Sequence, residues 1–254
     1  MLKHPFKRYP PKPDSVYFYG TCLTDLLYPE SGLAAVEMLE AQGVRVRFPR
    51  GQTCCGQPAF NSGFREEARA VALTQMELFP EPWPVVVPSG SCGAMMRVHY
   101  PELFLGTRHA DLARTFAARV FEWSEFMVQV LRVQLEDRGP PVTVAYHASC
   151  HLMREMGVVE EPLTLLKQLS GVRVVPLDGA LECCGFGGTF SVKMAPVSSA
   201  MARDKCNAVA RSEAEVLVSM DNGCLMNIGG ALKHAGLKVH CEPLPLFLRS
   251  RALD

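Results

Sequence analysis

The sequence predicts an α/β fold made of two pseudo-symmetric repeats, each a mostly parallel β-sheet flanked by helices. Three observations carry that prediction: the chain repeats itself, short apolar runs alternate with longer amphipathic ones, and cysteines recur at matching places in both halves. At an offset of 128, Cys22 falls on Cys150 and Gly43-Val44-Arg45-Val46 falls on Gly171-Val172-Arg173-Val174. One inserted residue brings Cys54-Cys55-Gly56 onto Cys183-Cys184-Gly185, and three more bring Cys92 onto Cys224, so eight of the ten cysteines are paired. The seam falls in residues 134–142, which divides the chain into a first lobe, residues 1–138, and a second, residues 139–254.

In the first lobe a strand is expected over residues 15–19, then a helix near 31–42 closed by Gly43, because glycine adopts the left-handed conformation of a C-cap without steric penalty. A strand over 44–48, the Cys-Cys-Gly loop, a helix over 63–79 and a strand over 84–87 follow, the last running into Pro88-Ser89-Gly90-Ser91-Cys92. In the second lobe, strands over 142–146, 172–175 and 215–219 precede His147-Ala148-Ser149-Cys150, Cys183-Cys184-Gly185 and Asp221-Asn222-Gly223-Cys224. Val120-Phe121-Glu122-Trp123 and Val239-His240-Cys241-Glu242 open the tails of the two units, an alignment that sets Cys241 opposite Glu122. Every paired cysteine lies just beyond the carboxyl end of an expected strand. In open α/β sheets loops from neighbouring strands converge at that edge, and ligands sit there.

Composition narrows the chemistry. The 254 residues carry 26 Lys+Arg against 26 Asp+Glu and are 48% hydrophobic, a globular balance with no basic stripe for nucleic acid or an anionic membrane surface. The N-terminus lacks an apolar signal core and no later run approaches the length of a membrane span, so a cytoplasmic location without membrane insertion is expected. In a reducing compartment, ten cysteines imply metal or redox chemistry rather than disulfides. No G-x-S-x-G elbow, phosphate loop or dinucleotide fingerprint is present, which removes the simplest routes to a hydrolase, kinase or NAD-dependent enzyme.

The candidate ligands are two quartets, Cys22, Cys54, Cys55, Cys92 and Cys150, Cys183, Cys184, Cys224. Soft thiolates select zinc, copper(I) or iron-sulfur clusters. Adjacent cysteines diverge too much to suit one tetrahedral ion, whereas a polynuclear cluster lets each sulfur meet a different iron; zinc remains the alternative. Gly56 and Gly185 permit a sharp turn beside the sulfurs, Gly187-Gly188 a close approach of the chain, and backbone N–H groups there could tune a cluster's potential. His147 and His151 flank Cys150 where the first lobe has Tyr19 and Leu23, so packing competes with a role beside a cluster. Arg154 serves equally as a nearby charge or a solvated residue. Cys206, inside an expected helix, is a structural thiol, and Cys241 has no cysteine counterpart.

The pattern of a cysteine, a long interval, Cys-Cys-Gly, a second interval and a reduced Cys-x-x-Cys resembles the cysteine-rich CCG domain. Here 31 residues separate Cys22 from Cys54 and 32 separate Cys150 from Cys183. That domain occurs twice in the heterodisulfide reductase B subunit and in the iron-sulfur subunits of glycolate and anaerobic glycerol-3-phosphate dehydrogenases. The absence of ferredoxin-type cysteine runs, together with Val120-Phe121-Glu122-Trp123-Ser124-Glu125-Phe126, makes this chain most similar to the lactate utilization protein A family. The resemblance implies two [4Fe-4S] clusters and an electron-transfer subunit of an NAD-independent complex that oxidises L-lactate to pyruvate. It also implies two further subunits, one ferredoxin-like. Ser89 and Asp221 stand where the reductase motif has its additional cysteines, so that enzyme's five-cysteine noncubane centre does not carry over. Oxygen ligation by either residue, a thiol-disulfide reductase and a zinc-stabilised scaffold are the competing expectations.

Overall fold

The computed structural model describes residues 9–253, so the first eight residues of the N-terminal stretch that lacks an apolar signal core lie outside the described residues. Its frame is two four-stranded parallel sheets. β1 (Ser15–Phe18), β2 (Arg45–Arg47), β3 (Val85–Val87) and β4 (Val120–Glu122) lie in the order β2-β1-β3-β4. β5 (Val142–His147), β6 (Val172–Val175), β7 (Val216–Ser219) and β8 (His240–Pro243) repeat it as β6-β5-β7-β8. The registers repeat as well. Ser15 pairs with Arg45 and Thr143 with Arg173, while Tyr17 pairs with Val85 and Ala145 with Leu217.

The central strands are mostly apolar because both faces are covered. Alternation assigns each residue to a face: Val16, Phe18, Val86, Val144, Tyr146 and Val218 enter a core shared by the two lobes. Tyr17, Tyr19, Val85 and Val87 enter an outer core under the helices Arg65–Glu77 and Ala110–Ala118, and Ala145 and Leu217 enter its second-lobe equivalent. Trp123, fully buried, ties the shared core together by donating its indole N–H to the Ala35 carbonyl at 3.0 Å.

One expected helix begins and ends two residues earlier and another is two residues shorter at each end, for local reasons. The first is Pro29–Glu40, since a proline fits the opening turn and Gly43 at φ 74° stops the chain beyond it. The second is Arg65–Glu77, because Gly63 at φ 85° holds the preceding loop open and Glu66 and Glu67 favour the first turn. The tail alignment needs a correction. Val85 pairs with Val120 and its equivalent Leu217 pairs with Cys241, so Cys241 corresponds to Val120, while Glu122 corresponds to Pro243. Between the sheets, residues 132–141 form neither helix nor strand. There Asp137, almost fully buried, accepts from Arg251 and from the N–H groups of Gly139 and Gly171, which fixes the crossing segment.

Candidate metal centres

Because every strand is parallel, the loops after β1, β2 and β3 emerge at one edge, and the chain reverses direction across the sheet between β1 and β3. Cys22 opens the helix Cys22–Leu27, whose first turn is closed by the Thr21 hydroxyl accepting the Thr24 N–H at 3.3 Å. Thr21 sits at φ 50°, a conformation a β-branched residue adopts only under constraint. Cys54 and Cys55 precede Gly56, which takes φ 86° at the head of the helix Gln57–Asn61. Cys92 lies in the helix Gly90–Ala94, and Ser89 caps it by accepting the Cys92 N–H at 3.5 Å. All four cysteines line one cavity of about 120 Å³.

The second lobe repeats this construction. Ser149 accepts the Leu152 N–H at 3.4 Å, as Thr21 does for Thr24, and Cys150 follows it. Gly185 again takes φ 86° after the paired cysteines, and Cys224 sits in the first turn of the helix Asn222–His234. The Cys150 and Cys183 sulfurs lie 3.8 Å apart and those of Cys184 and Cys224 3.1 Å. In each quartet two cysteines are buried (Cys55 and Cys92; Cys184 and Cys224) and two are half-buried.

Protonation follows the same plan twice. The Cys54 sulfur accepts from Cys22 and Cys55, which lowers it to about 3, and the Cys183 sulfur accepts from Cys150 and Cys184, which lowers it to about 2. Their donors are pushed up for the same reason, with burial adding to the rise. Backbone N–H groups also reach the sulfurs: Gly185 donates to Cys183 and Phe186 to Cys184, each at 3.4 Å, and Gly56 donates to Cys54. Each site therefore offers four sulfurs, one already favouring the charged form, with amide dipoles aimed at them. That donor set, free of carboxylates in its quartets, fits an iron-sulfur cluster.

The two edges face one another. Only a hydrogen at Gly90 allows the first-lobe cysteine helix to meet Leu152, since a Cβ there would lie 2.4 Å from the Leu152 Cβ. Asp221 accepts the Ser91 N–H at 2.9 Å, so this second-lobe carboxylate borders the first-lobe cavity. Asn222 likewise donates to Thr24 at 2.9 Å. The serine and aspartate weighed as oxygen ligands thus differ in use: Ser89 caps its own helix and Asp221 crosses to the other lobe. His151 places Nδ1 3.6 Å from the Cys150 sulfur, and Arg154 donates to the Leu181 carbonyl at 2.7 Å, bracing the loop before Cys183. Cys206 and Cys241 sit within electrostatic reach of each other in the outer core, where burial pushes Cys241 up to about 11.

The lobes part company beneath the sulfurs. Tyr19 donates its hydroxyl to the Thr53 carbonyl at 2.6 Å, and Gln75 is bonded on both sides to Thr53. Their counterparts are His147 and Lys205. A Cβ at Gly56 would meet Ala68 and Val71 and one at Gly185 would meet Ser198 and Met201, a register that equates Gln75 with Lys205. His147 is fully buried with neither ring nitrogen hydrogen-bonded, and a ring nitrogen and the Cys184 and Cys224 sulfurs lie within 4.8 Å of one another. Nothing in the linear pattern around Gln75 or Lys205 signalled this pairing.

The profile of the CCG cysteine-rich domain matches residues 16–97 and 144–229. The chain is 44% identical over 239 residues to lactate utilization protein A of Geobacillus kaustophilus, covering 93% of this chain and 99% of that relative. It is 45% identical over 237 residues to the protein of the same name from Geobacillus thermodenitrificans, with the same coverage. A crystal structure of a hypothetical protein from Helicobacter pylori superposes with TM-score 0.64 at 10% identity, over 99% of this chain and 52% of that one, a likeness of fold.

Proposed function

The chain belongs to the CCG cysteine-rich domain family and, within it, to the lactate utilization protein A family, and from that premise we propose that it is the iron-sulfur electron-transfer subunit of an L-lactate-oxidising complex. The observation that carries the proposal is the duplicated quartet: Cys22, Cys54, Cys55 and Cys92 line one cavity, and the Cys150–Cys183 and Cys184–Cys224 sulfurs lie 3.8 and 3.1 Å apart, so each quartet would hold one cluster. Four thiolates satisfy a [4Fe-4S] cluster, and each cluster when bound exchanges single electrons. The half-buried Cys22, Cys54, Cys150 and Cys183 keep each site near the surface, while Cys55, Cys92, Cys184 and Cys224 anchor it to the cores. Lactate must lose two electrons, and this chain carries no flavin or nicotinamide fingerprint. Two partner subunits, one of them ferredoxin-like, therefore complete the path in the cytoplasm. No helix among the described residues is long and apolar enough to cross a membrane.

A second reading rests on one observation. His147, Cys184 and Cys224 are spaced closely enough to hold a single ion, which suits a zinc-stabilised scaffold. The heterodisulfide-type reductase has less support, because Ser89 and Asp221 replace its extra cysteines and are bonded elsewhere. Anaerobic reconstitution with the partner subunits tests the proposal: L-lactate should reduce both clusters, and pyruvate should accumulate. Clusters that stay oxidised while a heterodisulfide is turned over would assign the reductase instead.

A further inference from the structure

His147 occupies a place where a polar ring has no evident reason to be. It ends β5, on the face turned to the outer core, and its main-chain carbonyl accepts the Ser219 hydroxyl at 2.8 Å. Its side chain is wholly removed from water, with both ring nitrogens unpartnered. Leaving a buried N–H unsatisfied is costly, so such a group ordinarily marks a partner that protein atoms do not supply. An imidazole carries at least one N–H donor in either protonation state. What lies beside that ring is sulfur, from Cys184 and Cys224.

The first lobe provides the internal control. Tyr19 stands at the same position on β1, but its hydroxyl is committed to the Thr53 carbonyl and offers the sulfurs nothing. Gln75 is equally committed, whereas Lys205 is a buried amine bonded to the Gly179 carbonyl and within electrostatic reach of Cys183, Cys184 and Cys224. Two neutral, satisfied side chains in one lobe are thus replaced by two basic ones in the other.

Resting on the cluster reading above, we propose that His147 donates its ring N–H to sulfur of the second-lobe centre and, with Lys205, sets that centre at a higher reduction potential than the first-lobe centre. Reduction adds negative charge to the cluster, and donors or cations beside its sulfurs favour that state. His147 and Lys205 are positioning residues in this account: neither replaces a cysteine, and each acts on the electron by holding a positive dipole or charge where it lands. With a cluster held by each quartet, this asymmetry would favour one-electron transfer from the first-lobe site towards the second, a step that makes and breaks no bond.

The test is an EPR-monitored redox titration of the reconstituted full chain. Two midpoints are expected, and Cys184→Ser, which removes the second-lobe signal, should abolish the higher one. His147→Leu should shift that midpoint to lower potential without moving the other, His147→Asn, which keeps an N–H, should restore most of it, and Lys205→Gln should lower it independently of how His147→Leu folds. Tyr19→Phe should move neither midpoint. The inference is overturned if both midpoints survive His147→Leu and Lys205→Gln unchanged, or if the second-lobe centre has the lower potential. A wild-type chain that binds no iron overturns the cluster reading itself, a result distinct from clusters whose potentials ignore His147.

Discussion

The first and second lobes share strand order, register, cysteine positions and even the φ of the glycine after each cysteine pair, yet differ in several of the polar groups that support those features. The Cys55 carbonyl is held by Tyr100 at 2.9 Å, whereas the Cys184 carbonyl is held by Asn227 at 2.8 Å. In the first lobe Arg97 donates to the Val120 carbonyl and pairs with buried Glu125; in the second, the equivalent region brings Gly229 and Cys241 together. What is kept is the delivery of four sulfurs to one edge; what varies is the local bonding that sets stability and electrostatics. The repeat keeps the cysteine quartet and varies the side chains around it.

The largest effect should come from the part that is shared. Cys55→Ser and Cys184→Ser should each remove about half of the iron and sulfide and extinguish one EPR signal while the other persists, because each proposed centre would draw its cysteines from its own lobe's loops. Loss of both signals in either variant would mean the lobes share a single centre.

The unshared supports come next. Arg97→Met strips Glu125 of its guanidinium in a setting only a few per cent exposed, so the first lobe should lose about 3–5 kcal/mol in denaturant unfolding. Hydrogen exchange should localise that loss to β3 and β4, and uniform loss across both lobes would show that they unfold as one unit.

Opposite pH dependences should follow from two buried groups in the metal-free chain. Burial raises Glu122 to about 7, so the folded first lobe holds its proton more tightly than the unfolded chain does; this stabilisation is full below about 4.5 and is lost as pH rises through 7. Burial, aided by Lys205, lowers His147 to about 3 from 6.5, so its stabilisation is full above 6.5 and is lost as pH falls towards 3. Each amounts to roughly a few kcal/mol. Glu122→Gln should flatten the alkaline limb and His147→Leu the acidic limb of chemical-denaturation stability against pH; a single variant flattening both would break the assignment.

A smaller asymmetry lies in the glycines. At Gly185 a Cβ would stand 2.8 Å from the Ser198 carbonyl oxygen, while at Gly56 it would stand 3.3 Å from that of Ala68. Gly56→Ala should therefore cost about 1–2 kcal/mol from its left-handed φ alone, and Gly185→Ala about 2–4 kcal/mol, as a difference in Tm would register. The smallest effect expected is none: Cys206→Ala and Cys241→Ala should leave the iron content unchanged.

Much of this plan was legible in the linear sequence. Identical residues at offset 128, and glycine after each cysteine pair, marked the repeat and its sulfur edge because spacing between parallel strands is set by local elements that the pattern records. The helix ends moved by two residues where proline and positive-φ glycine outweighed apolar periodicity. The tail alignment failed because Val120 and Cys241 are matched by strand pairing rather than by resemblance. The π-helical turns Met95–His99, Phe126–Leu131 and Leu152–Met156 left no sequence signal, and neither did Asp221 reaching Ser91 across 130 positions. Such contacts depend on how two finished lobes meet, which no local pattern encodes.

Metal and acid-labile sulfide analysis of the anaerobically purified chain tests the central claim most directly. Two cysteine quartets holding [4Fe-4S] clusters predict about eight iron and about eight sulfide per chain. About two zinc per chain with no sulfide would contradict it.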